Sequence, residues 1–66
     1  MSLKLGKQAQ ADLENGHVVY AMVDRFKRAV RASRDLEYIK QVIAKRDDCA
    51  VYVCHGVGLA WQKLEV

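Results

Sequence analysis

Proline is absent from this 66-residue sequence, so no rigid turn, kink or helix breaker of that kind is marked along it. Cysteine is scarce. A disulfide-stapled secreted domain of this size would carry four or more, and here there are two, Cys49 and Cys54. Long hydrophobic runs are missing as well: the longest, VVYAMV, has six residues, against the roughly 20 that a membrane span needs. The first ten residues, MSLKLGKQAQ, lack the apolar stretch of a signal peptide. Together these absences lead to the expectation of a reduced, cytoplasmic protein with no membrane partner.

Catalytic constellations are just as sparse. The stretch AVYVCHGVGLAW, residues 50–61, sets Cys54 beside His55. A nucleophile and its base must touch, at about 3 Å, whereas neighbours on a strand point to opposite faces, so the two are not expected to form a dyad. Cys49 and Cys54 are five residues apart and face opposite ways on one strand, which disfavours both a shared metal and a bond between them. Gly56-Val57-Gly58 fits neither the G-x-G-x-x-G nor the G-x-x-x-x-G-K-[ST] pattern and is expected to be a hairpin loop. Asp24, Asp35, Glu37, Asp47 and Asp48 have no apolar surroundings that would raise a pKa, and three of them suit caps and turns. No catalytic residue, metal, cofactor or small-molecule substrate is expected.

What the chain does contain is apolar residues, 52% of the total, and a focused positive charge. At this length one domain, residues 1–66, is the only reasonable count. Such a domain buries about 60% of its unfolded surface and its core supplies only a few kcal/mol. An apolar excess therefore suggests a partner or a homo-oligomer, most simply a two-fold dimer. The net charge is +3, but residues 24–46 alone hold eight basic and three acidic residues, a local +5. The eight are Arg25, Lys27, Arg28, Arg31, Arg34, Lys40, Lys45 and Arg46.

Val19, Met22, Val23, Phe26 and Val30 recur with helical spacing, and Lys27, Arg28, Arg31 and Arg34 lie on the opposite side of the same wheel. This predicts a helix ending near Ala32. Leu36, Ile39, Val42 and Ile43 predict a second, from about Leu36 to Arg46, with Ser33 or Asp35 as its N-cap. Residues 3–14 alternate like a strand, and Asn15-Gly16 is a hairpin signal, yet Gln8 to Glu14 are strong helix formers and favour a helix that breaks at Gly16. The C-terminal segment reads as two strands, with Tyr52 or Val53 opposite Trp61 according to loop length. The expected fold is a small α+β domain: an N-terminal helix, helices over residues 17–46, then a C-terminal β-hairpin. An N-terminal hairpin, giving ββααββ, is the alternative. Phe26, Val30, Ile39, Ile43, Val53 and Trp61 are the expected core.

Three helices and a two-stranded wing are the element order of a minimal winged-helix domain, with YIKQVIAKR (residues 38–46) as the groove-reading helix. No family signature accompanies that order. The function expected is a non-enzymatic nucleic-acid-binding regulator using the eight basic residues as its binding face. The alternative is a small protein-binding inhibitor or adaptor, of the kind phages and plasmids encode, that docks the same face on an acidic partner.

Overall fold

The computed structural model describes residues 3–65. Its elements run α1 (Lys7–Glu14), β1 (Val19–Val23), β2 (Ala29–Ser33), α2 (Leu36–Ile43), β3 (Ala50–Cys54) and β4 (Gln62–Leu64). The strands form one antiparallel sheet in the order β2-β1-β3-β4. The domain is α+β, with two helices and four strands. The N-terminal helix, the helix from Leu36 and the C-terminal hairpin are present. The helix expected over residues 17–32 is not: that stretch is the β1–β2 hairpin. The winged-helix order falls with it, and so does the ββααββ alternative.

The correction has a simple origin. Val19, Ala21, Met22 and Val23 are all buried, at 1% exposure or less. Successive strand residues face opposite ways, so β1 is covered on both faces. A strand buried on both sides reads as a continuous apolar run instead of an alternating one. VVYAMV is such a run, and its overlap with Phe26 and Val30 only mimics a helical stripe. Both of those residues lie outside the core: Phe26 is 64% exposed and Val30 41%. Of the other expected core residues, Ile39 and Val53 are buried, while Ile43 and Trp61 are half-buried.

The two helices cover different faces. On one, Ala9 and Leu13 of α1 pack with Val19 and Cys54, joined by Leu5, Ala32 and Trp61. Arg31, next to Ala32 and so on the other face, reaches Tyr38 of α2. Ile43 of α2 lines a cleft with Val51 and Leu64 at the opposite margin of that second face. Strands β2 and β3 both run antiparallel to β1 and therefore parallel to each other. Helix α2 connects them by crossing over β1, and Ile39 at its centre is fully buried.

Local chemistry fixes the ends. α1 terminates in a Schellman motif: His17 N donates to Asp12 O (2.9 Å), Gly16 N donates to Leu13 O (3.0 Å), and Gly16 takes φ 86°. Asp35 caps α2, accepting from Glu37 N (3.0 Å) and Tyr38 N (3.3 Å). The helix stops at Ile43, three residues short of the expected Arg46. In the C-terminal hairpin Val53 pairs with Gln62 and Tyr52 with Lys63, so the loop is longer than either expected register allows. The Cys54 thiol, 3.1 Å from Gly56 O and 3.5 Å from Leu59 O, holds that loop.

The turn between β1 and β2 has neither glycine nor proline. Asp24 Oδ1 accepts from Phe26 N (2.9 Å) and Arg28 N (3.0 Å), while Lys27 N donates to Asp24 O (3.0 Å). Lys27 takes φ 64°, the left-handed position where such turns normally place glycine or asparagine. Lys27→Gly relieves that conformation but loosens the unfolded chain. The expected outcome in a chemical-denaturation curve is a stability unchanged or raised by up to about 1 kcal/mol. A loss of more than that would show that Lys27 is held by contacts beyond the turn.

Candidate nucleic-acid interface

The sheet separates the eight expected site residues into two sets. β1 runs from Val19 to Val23, and Val23 pairs with Ala50 at the start of β3. The β1–β2 turn (residues 24–28) and the connection from α2 to β3 (residues 44–49) therefore meet at the same end of the sheet. Arg25, Lys27, Arg28, Lys45 and Arg46 gather there, all exposed. Lys4, which carries no signal in the sequence pattern, joins them: it lines a depression with Lys27, Arg28 and Ala29. Asp24, Asp47 and Asp48 lie at this end with the six cations, and Glu65, one residue past the Val51–Leu64 pair, stands at its β4 edge, which leaves the cations in excess.

The remaining three are placed and occupied differently. Arg34 lies past the far end of β2, 3.6 Å from the nearly buried Asp12 carboxylate, with Nη1 3.3 Å from His17 Nε2. Lys40 pairs with Glu37 on α2 at 3.7 Å. Arg31 Nη1 donates to Tyr38 Oη at 2.6 Å and lies over the Tyr38 ring at 5.9 Å. The Arg34 and Arg31 contacts join the β2 edge to α1 and α2, while the Lys40 pair is local to α2, and all three residues remain exposed. The single helical stripe expected from Lys27 to Arg34 is thus resolved into a turn, an edge strand and a structural ion pair.

Among the described residues Lys4, Arg25, Lys27 and Lys45 enter no ion pair, whereas Arg28 meets Asp24 at 3.8 Å and Arg46 meets Asp48 at 3.2 Å. Between the arginines stands Phe26, exposed at the apex. The guanidinium carbons of Arg25 and Arg28 each lie 5.4 Å from its ring centroid, within cation–π range. No spacing rule marks Phe26 as a surface residue. The available signal was the Asp24 side chain two residues before it, an Asx-turn former.

The Arg46–Asp48 pair has an electrostatic consequence. Hydrogen bonds from Arg46 hold the Asp48 carboxyl below its ordinary value of 3.8. The folded chain therefore keeps Asp48 ionised to lower pH than the unfolded chain does. The pair favours folding above the ordinary carboxyl range, and that contribution is lost as pH falls through the folded value. Asp48→Asn is expected to flatten the acid limb of a stability-versus-pH profile slightly, because the pair is exposed. An unchanged acid limb would mean that the pair is equally satisfied in the unfolded chain.

The two cysteines sit in different surroundings. Both are free. Cys54 is buried and engaged with loop carbonyls, and His55 beside it is exposed. Burial, and next the Asp48 carboxylate, push the Cys49 thiol up, away from the thiolate. A cleft of about 540 Å³ between the end of α2 and strands β3 and β4 has an apolar floor of Ile43, Val51 and Leu64. Cys49 and Lys40 also line it. Among the described residues no helix is long and apolar enough to cross a membrane, and no three His, Cys, Asp or Glu residues are placed to hold a metal ion. Comparison with protein-family models, curated proteins and solved structures finds no match to this chain.

Proposed function

We propose that this chain is a non-enzymatic nucleic-acid-binding module that attaches through the Val23 end of its sheet. The observation that carries the reading is the turn Arg25-Phe26-Lys27-Arg28, in which an exposed aromatic ring stands between two guanidinium groups. A solvated turn has no need of a phenylalanine, and it gains nothing from a lysine in a left-handed conformation. Strain of that kind concentrates at functional positions. Arginine is well shaped for phosphate, and Lys4, Lys45 and Arg46 widen the positive surface around the turn. The two free thiols suit a regulator working in a reducing, cytoplasmic compartment.

Self-association has less to draw on than the composition suggests, because much of the apolar content goes into covering both faces of β1. The exposed large apolar residues are dispersed. Phe26 is at one end of the sheet, Val57 and Leu59 are at the other, and Val30 and Tyr38 lie between. The edge strand β2 carries Arg31, with Arg28 and Arg34 flanking it, and charged edges discourage strand addition.

The test is a gel-shift titration of the full chain against nucleic acid at two salt concentrations, paired with a pull-down on an acidic protein matrix. Nucleic-acid binding that weakens steeply with salt is the expected result. Capture by the acidic matrix with no shift of nucleic acid would replace this reading with that of a protein-binding inhibitor or adaptor.

A further inference from the structure

We infer that the hairpin tip takes an unpaired base of a single-stranded nucleic acid, stacked at Phe26, with the adjoining phosphates held by Arg25, Lys27 and Arg28. The inference rests on the nucleic-acid reading above and narrows it to one strand state. Phe26 leaves 64% of its surface uncovered at the apex of the turn, so a flat apolar face can pack there without rearranging the core. The two guanidinium groups already lie over it, each 5.4 Å from the ring centroid. A base that packs on the ring displaces one of these groups, which then lies within reach of a neighbouring phosphate.

The tip is also built before any ligand arrives. Asp24 Oδ1 holds the backbone of both Phe26 and Arg28, and Asp24 N donates to Arg28 O at 3.0 Å, closing the turn. The backbone that carries ring and cations therefore loses little freedom on binding.

Strand state follows from cost and shape. In a duplex every base is already stacked, and wedging a side chain between two of them breaks that stacking. The major groove is wide enough for a two-stranded ribbon but offers base edges, and the minor groove is only about 6 Å wide, so neither presents a base face to the ring. A single strand presents base faces at no such cost, and aromatic platforms on basic surfaces are the usual means of holding it. One exposed ring calls for one base, so little sequence preference is expected.

The experiment is fluorescence anisotropy of the full chain with a labelled 15-nucleotide oligo-dT and with a labelled 15-base-pair duplex, each across a salt series. The wild-type chain is expected to prefer the single strand. Phe26→Ala is expected to weaken oligo-dT binding by about ten-fold or more, to leave its salt slope unchanged, and to leave duplex binding as it was. Phe26→Trp is expected to restore the affinity and to show tryptophan quenching with oligo-dT but not with duplex. If Phe26→Ala changes neither ligand, or lowers both equally, while the wild-type chain still binds, stacking is overturned and the nucleic-acid reading survives. If the wild-type chain binds neither, the reading beneath it fails as well. Binding of poly-glutamate in their place would assign the tip to acidic protein surfaces and overturn both.

Discussion

Ile39→Ala is expected to leave much of the chain unfolded at ambient temperature, while Phe26→Ala leaves it folded. Ile39 is fully buried where α2 crosses β1. Truncating a buried isoleucine to alanine costs about 2–5 kcal/mol, because the transfer energy is lost and a cavity remains. A 66-residue domain has only a few kcal/mol to lose. Ile39→Val removes one methylene group and is expected to cost about 0.5–1.5 kcal/mol, so the loss should scale with the hole. Phe26 behaves oppositely. It is exposed, and its contribution is limited to two surface cation–π contacts, worth roughly 0.5–1 kcal/mol. Denaturant titration followed by circular dichroism separates the cases. A Phe26→Ala chain as unstable as Ile39→Ala would restore Phe26 to a core and remove the β1–β2 hairpin.

The second large effect concerns charge. Arg25→Ala with Arg28→Ala removes two cations from the tip without touching the core, since both are exposed. Every phosphate that is no longer neutralised lowers the slope of log K against log salt by about 0.7 for single strands. Two of them lower it by about 1.4, which is roughly 25-fold in affinity at 0.1 M salt when referred to 1 M. Lys40→Ala is the matched control: it removes one exposed cation, but from α2, where Lys40 pairs with Glu37. It is expected to leave the slope where it was. A drop in the control half as large as that in the double variant would mean that only net charge matters and that the placement of the cations does not.

The parts of this fold that could be read from sequence are those whose signals are local. Gly16 ends α1 and Asp35 starts α2 because a positive φ and a side-chain cap each belong to a residue type. The C-terminal strands were visible in Val51-Tyr52-Val53 and the glycines after them, although the register was not, because the Cys54 thiol holds a longer loop. The β1–β2 hairpin was hidden for two reasons. Burial on both faces removes the alternation that marks a strand, and the turn is closed by an Asp24 side chain and a left-handed Lys27 with no glycine to announce it. The site was half legible for the same reason. Its residue types stood out as a basic cluster, but their grouping depends on which strand ends meet, and that is a property of the sheet. Lys4 joins the cluster only through the tertiary fold, whereas Arg34 leaves it because Asp12, near the end of α1, is there to receive it.

On the proposed reading, nucleic acid binds at one end of the sheet, around Arg25 to Arg28. Backbone amide chemical shifts followed by NMR during titration with a short oligo-dT test it most directly. The expected result is a set of perturbations confined to residues 24–28, 45–46 and Lys4, fading as salt is raised. Perturbations centred instead on Arg34, Lys40 and the exposed side of α2, or none at any concentration, would contradict it.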